Sequence, residues 1–174
     1  MNNRPLALRS LRLSGAAVTP AHGLTGLLAA YHLRTQEEKG LGVASPEDLP
    51  ERYLSEIRCP ATAFAGDLVL LALHDGTPVG CVILTAADGD GRSEIKRLWV
   101  GPAHRGGGVA SGLIREALAA AAENGVRTVR LSVWNWRTGA IALYVRHGFT
   151  AVESWEDRRE LICLEHRVGH RKLI

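Results

Sequence analysis

Three of the 174 residues are cysteine, one is methionine and 5% are aromatic. The cysteines (Cys59, Cys81, Cys163) are odd in number, widely spaced and form no C-x-x-C pair. That argues for reduced thiols and a cytoplasmic setting. No apolar run approaches the roughly 18 residues of a membrane span. Met1–Leu13 alternates arginine with leucine and lacks the apolar core of a targeting segment. The formal net charge of +3 is too small to point to nucleic acid or an anionic membrane as partner. The basic tail HRVGHRKLI reads as a solvated terminus. Hydrophobic content of 46% beside 22% charged residues is ordinary for a globular protein with a real core. The length fits one domain, 1–174.

Glycine, by contrast, is concentrated where it counts. After the strand-like run Glu94–Val100 and a Gly-Pro turn comes Arg105-Gly106-Gly107-Gly108-Val109-Ala110, which opens directly onto an apolar-periodic helix. A helix N-terminus carries unpaired N–H groups and partial positive charge, and glycine lets an anion come close to them. The arrangement points to a ligand bearing phosphate. It is not a dinucleotide fingerprint, since Ala103, Val109 and Ser111 stand where glycines would be needed, nor a P-loop, since no Lys-Ser or Lys-Thr follows.

The rest of the chain alternates strands and helices. Leu6, Leu8, Leu11 and Leu13 predict a first strand. Thr19-Pro20 is a start signal for a helix over 20–39, with Leu24, Leu27, Leu28 and Tyr31 on one face. Ser45-Pro46-Glu47-Asp48 opens a second helix to about Arg58. Asp67–His74 and Thr77–Ala87 are apolar runs joined by Asp75-Gly76, a strong hairpin signal. Asp88-Gly89-Asp90-Gly91 lacks the remaining calcium-loop positions and reads as a turn before a strand at 93–100. Val109, Leu113, Ile114, Ala117, Leu118 and Ala121 share a face of a helix over 107–123, closed by Asn124-Gly125. A strand at 127–134, a helix at 138–146 and strands near 149–155 and 159–166 complete the chain. The strands flanking the long helix should be parallel neighbours through a right-handed crossover.

Three segments occur in a fixed order: Arg97-Leu98-Trp99-Val100, then Arg105-x-x-Gly108-x-Ala110, then Ala140-Ile141-Ala142-Leu143-Tyr144 with Gly148-Phe149. With these the sequence resembles the GNAT family of N-acetyltransferases over roughly a third of its length. The resemblance implies an α/β (α+β) fold with a mixed, mostly antiparallel central sheet, a splayed parallel strand pair and helices on both faces. It implies acetyl-CoA as cosubstrate and no metal. The backbone of Leu98, Trp99 and Val100 would pair with the pantetheine arm, and Arg105, Gly106, Gly107, Gly108, Val109 and Ala110 would hold the pyrophosphate. The family's usual asparagine three residues before the alanine is replaced by Arg137; Asn135 would compensate in part, or Arg137 would reach a phosphate. The partner would be an amine-bearing acceptor, and a homodimer through the closing strands is compatible with the family.

Acetyl transfer to an amine needs proton traffic. An amine of pKa about 10.4 is neutral in about one molecule in 2,500 at pH 7, a cost of about 4.6 kcal/mol. Glu94, eleven positions before Arg105, matches the general base of histone-type members of the family, with His104 as runner-up and a water chain, as other members use, the alternative to both. Tyr144 matches the tyrosine whose hydroxyl lies near the CoA sulfur and would serve as acid. Trp134 and Trp136 would wall the acceptor pocket or pack the core. Tyr31, His32, Arg34, Gln36 and Glu37 would give the acceptor side a mixed polar face. The rival reading is a CoA-binding or sensing module without catalysis.

Overall fold

A computed structural model describes residues 8–169. Seven strands form one sheet in the order β1-β2-β3-β4-β5-β7-β6: β1 (Leu8–Ser14), β2 (Leu68–His74), β3 (Thr77–Leu84), β4 (Arg92–Val100), β5 (Thr128–Trp134), β6 (Thr150–Val152) and β7 (Leu161–Arg167). Every neighbouring pair is antiparallel except β4 and β5. The helices are α1 (Leu24–Glu38), α2 (Glu51–Arg58), α3 (Pro60–Ala63), α4 (Val109–Glu123) and α5 (Thr138–Arg146). The mixed sheet with one parallel pair is the architecture expected. Leu6, counted toward the first strand, lies outside the described residues.

Two apolar layers sandwich the sheet. On one face Val109, Leu113, Ile114 and Ala117 of α4 pack on Leu70, Val82, Ile95, Val129 and Leu131. On the other, Leu24 and Leu28 of α1 with Leu54 and Ile57 of α2 cover Val69, Leu71, Cys81 and Ile83. The alternation of β2 and β3 residues between the two layers is the two-residue strand period. Both layers are needed because the middle strands are apolar on both faces.

Three expectations of extent are corrected. The helix over 20–39 divides: Pro20–His22 form a 3-10 turn in which the Thr19 N–H donates to His22 Nδ1 at 2.9 Å, Gly23 turns left-handed at φ 70°, and α1 starts at Leu24. Gly23 lies so close to β3 that a Cβ there would meet Pro78 Cγ at 2.5 Å. The helix from Ser45 also divides, because Pro50 biases Leu49 to extended backbone (ψ 150°) and α2 restarts beyond it. The strand expected at 149–155 shortens to Thr150–Val152 at the sheet edge.

Two features shape the site. Arg97 sits in the left-handed region at φ 55°, within a bulge where β4 slips against β3 between the Cys81–Trp99 and Ile83–Lys96 pairs. And β4 touches β5 over only three pairs, Arg92–Thr128, Ser93–Val129 and Glu94–Arg130. Beyond Glu94 the two strands part.

Candidate active site

The parting of β4 and β5 opens a cleft of about 1030 Å³ that runs through the sheet. Along it, Ile95, Lys96, Trp99 and Val100 pair with β3 on one side, and among the described residues no strand pairs with them on the other. An extended chain with amides could complete that edge as a strand would.

At the far end of β4 the chain turns through Pro102–His104 into the glycine run, with Gly106 at φ 78° and Gly108 at φ 81°. Both glycines face open space. The first helix-closing bond of α4 is Gly112 N–H to the Gly108 carbonyl at 2.9 Å. Among the described residues, the amides of Gly106 to Ser111 donate to no protein acceptor. Six consecutive free N–H groups at the positive end of a 15-residue helix form a built anion cradle. Gly106 and Ala110 border the main cleft, while Gly107, Gly108 and Val109 border a second hollow of about 510 Å³ beneath the loop. The Val109 side chain is buried in the core, so only its backbone faces a ligand. Arg105 folds back: its Nε donates to the Val100 carbonyl at 3.0 Å and its guanidinium lies 4.8 Å from the Trp99 ring centre. It braces the corner between strand and loop.

Glu94 and Tyr144 both line the cleft. Glu94 is the last paired residue before the strands part; its N–H donates to Thr85 Oγ1 at 2.8 Å, its carboxylate is 3.9 Å from Lys96 Nζ, and its side chain keeps 23% exposure. Tyr144 is buried, with its ring edge-on to Phe149 at 5.6 Å. Burial pushes its phenol well above the ordinary value, with the Tyr31 phenol adding and Arg137 opposing. Among the described residues nothing hydrogen-bonds its hydroxyl, which stays protonated at neutral pH and available as a donor. Leu98, Trp99 and Val100 line the same wall, and Trp99 meets Tyr31 edge-on at 6.5 Å. His104 is placed elsewhere: it lies 3.3 Å from His74 and borders the second hollow rather than the main cleft.

Arg137 lines the cleft, but its guanidinium is spent on α1, donating to Glu38 Oε2 at 2.9 Å and to Thr35 Oγ1 at 2.7 Å. Asn135 is exposed and outside the cleft lining; its N–H donates to the Glu160 carbonyl at 2.8 Å and so holds β7 against the end of β5. Trp134 and Trp136 stack at 4.8 Å, and Trp134 alone of the two lines the cleft.

A trio of buried His32 and half-buried Glu56 and Arg97 is not legible in the sequence. Glu56 of α2 accepts from both Arg97 nitrogens (Nε 2.8 Å, Nη2 2.5 Å) and hydrogen-bonds His32 Nε2 at 2.8 Å. Burial alone would raise the Glu56 carboxyl, but the hydrogen bonds from Arg97 and His32 outweigh it and hold it at about 2. Burial also pushes His32 below its ordinary value, despite Glu56, and His32 stacks on Tyr53 at 4.3 Å. The partners lie 24 and 41 residues apart in the chain. No local pattern announces them. The trio ties α1 and α2 to the bulge of β4 and so sets one wall of the cleft, lined by His32, Tyr53 and Arg97.

An open parallel strand pair that ends in a row of free amides at a helix start defines an α/β protein whose backbone could take an extended chain along the strand edge and an anion at the helix. Residues 29–149 match the model of the Acetyltransferase (GNAT) family, and the chain belongs to that family. Mycothiol acetyltransferase of Nocardia farcinica is 41% identical over 93 residues, 53% of this chain and 29% of that protein. An uncharacterised N-acetyltransferase of Mycobacterium bovis is 36% identical over 81 residues, 47% of this chain and 51% of the relative. The match therefore spans about half or less of these relatives' lengths. A GNAT acetyltransferase of Staphylococcus aureus superposes with TM-score 0.70 at 13% identity, covering 94% of this chain and all of the other. PaiA N-acetyltransferase of Thermoplasma acidophilum, solved in complex with coenzyme A, gives 0.66 at 17%, covering 93% and 99%. These two likenesses establish the fold. Among the described residues no helix is long and apolar enough to cross a membrane, and no group of three metal-ligating side chains occurs.

Proposed function

We propose that the chain transfers the acetyl group of acetyl-CoA directly to a primary amine held in the cleft. The observation that carries this reading is the row of free amides from Gly106 to Ser111 at the end of the unpaired β4 edge. A pyrophosphate suits the amides and a pantetheine arm suits the edge. Acetyl-CoA supplies the activated acyl group. The residues 98–100 present backbone for the arm, and Arg105 keeps the corner rigid.

At the point where β4 and β5 part, Glu94 accepts the amine proton, directly or through water. The amine nitrogen bonds to the acetyl carbonyl carbon, the carbon–sulfur bond breaks, and the Tyr144 hydroxyl donates to the departing thiolate. Tyr144 suits this role because burial keeps its hydroxyl protonated, so that it can donate a hydrogen bond to the charge developing on sulfur. Arg137, tied to α1, acts here as a wall of the acceptor side. Trp134 lines the same wall.

The test is direct. Acetyl-CoA titrated into the full chain should bind saturably, and thiol release should follow when amines are added. Binding without turnover over a broad amine panel would leave a CoA-binding module instead.

A further inference from the structure

The cleft has a mouth on each face of the sheet. Val129, Leu131 and Val133 pack into the α4 layer, so strand alternation sends Arg130, Ser132 and Trp134 to the α1–α2 face, where all three line the cleft. The glycine loop and α4 belong to the first face.

At the second mouth three cations converge from separate elements. Lys39, the residue that ends α1, places Nζ 4.4 Å from the centre of the Trp134 ring. Arg158, from the segment between β6 and β7, lies 5.5 Å from the same ring. Arg52, in the first turn of α2, stacks 4.6 Å from Tyr53 and donates to its hydroxyl at 2.7 Å. Burial lowers the Lys39 ammonium below its ordinary value, and the fields of Arg158, Arg52 and Arg137 lower it further.

Nearby carboxylates balance this charge only in part, at Arg158, which Glu156 pairs at 3.0 Å. Glu38 receives Arg34, Arg137 and Trp136; Glu156 receives Arg158 and Ser132. Among the described residues neither Lys39 nor Arg52 has a carboxylate partner. Around the whole cleft nine arginines and lysines face three glutamates. Converging like charges held on aromatic faces are unfavourable on their own and favourable once an anion sits among them.

We propose that this mouth is an anion subsite: besides its reacting nitrogen, the acceptor carries a carboxylate or phosphate that Lys39, Arg52 and Arg158 hold. This deepens the acetyltransferase reading and rests on it. The phosphates of acetyl-CoA are provided for by amides on the opposite face. An anion held by three charged donors on the acceptor side selects the acceptor and anchors it against Trp134.

The experiment uses the full chain and matched amines of equal length: a plain alkylamine, an amino acid, its carboxamide, and an aminoalkyl phosphate. The anionic members should exceed their neutral counterparts in kcat/KM by at least tenfold, with a KM that rises steeply with salt. Comparison of the amino acid with the phosphate assigns the source of the anion. Arg52→Gln and Arg158→Gln, both on exposed side chains, should each erode the preference, and Lys39→Gln combined with them should erase it. Acetyl-CoA Kd, measured in parallel, should stay unchanged in all three. Equal or better turnover of the neutral amines, or a preference that survives the triple substitution, would overturn the proposal. So would a weakened acetyl-CoA Kd in the variants, because the cluster would then serve the cosubstrate. Absence of saturable acetyl-CoA binding by the unsubstituted chain would instead fell the acetyltransferase reading.

Discussion

The two mouths of the cleft are built on different physical plans. At the glycine loop the groups turned outward are backbone amides, and the side chains nearby look inward: Val109 is buried and Arg105 is folded onto Val100 and Trp99. At the α1–α2 mouth the groups turned outward are side chains, and they are positioned by ion pairs such as Arg97–Glu56 and Arg137–Glu38. Backbone donors recognise a phosphate chain without regard to the residues that carry them. Side chains can be exchanged one at a time. A protein that keeps one donor molecule and varies its acceptor is served by this division.

The sharpest way to break the comparison lies between the mouths. Glu94→Gln should lower turnover at neutral pH by about 10² to 10⁴, the range for loss of a general base. The defect should shrink as pH approaches the pKa of the amine itself. Near-normal rates with a flat pH profile would assign the proton to water alone.

On the side-chain plan, removing one partner of the half-buried trio should be costly. Glu56→Ala strands the Arg97 guanidinium and should cost about 3–5 kcal/mol in unfolding free energy, measured by denaturant titration. The pH dependence carries a sign. Glu56 is held at about 2 in the fold against an ordinary 4.5, so its contribution is complete above about 4.5 and lost as pH falls toward 2. His32, kept neutral by burial, works in the same direction, since acid must charge it. Glu56→Gln should flatten the acid limb of stability against pH. An unchanged acid limb would show that the trio does not couple folding to protons.

Tyr144→Phe should reduce kcat and kcat/KM together, by about 10 to 10² for a hydrogen bond to a charged group. The melting temperature should hold, because the ring still packs on Phe149. A variant that melts early but turns over normally once folded would make Tyr144 an anchor only.

The smallest effect concerns the backbone plan. Gly108→Val should weaken acetyl-CoA by more than about tenfold, or 1.4 kcal/mol, read by titration. Its φ of 81° also strains any side chain, so Gly125→Val is the control: Gly125 has φ 70° and open space, at the other end of α4. Equal loss of affinity in both would reduce the effect to strain.

Local pattern made much of this legible. The Asp75-Gly76 hairpin, the apolar face of α4 and the glycine run before it each depend on residues within a few positions of one another. The departures came where distant residues intervene. Gly23 is left-handed at φ 70° with Pro78 of β3 within 2.5 Å of where a Cβ would stand, and Asn135 lies outside the cleft at the end of β5, where its N–H meets Glu160 just before β7. The break at Pro50 is local, since a proline biases the residue before it to extended backbone.

The sequence by itself determined the order of elements, the crossover that makes β4 and β5 parallel, and the glycine loop that leads into α4, because periodicity, glycine and proline act over short range. Only the tertiary structure decided how far β4 and β5 stay paired, which side of the sheet each arginine faces, and that Glu56, Arg97 and His32 meet. Those outcomes turn on a bulge at Arg97 and on packing between residues tens of positions apart. Charge that looks scattered along the chain becomes a field only when folding brings it to one mouth.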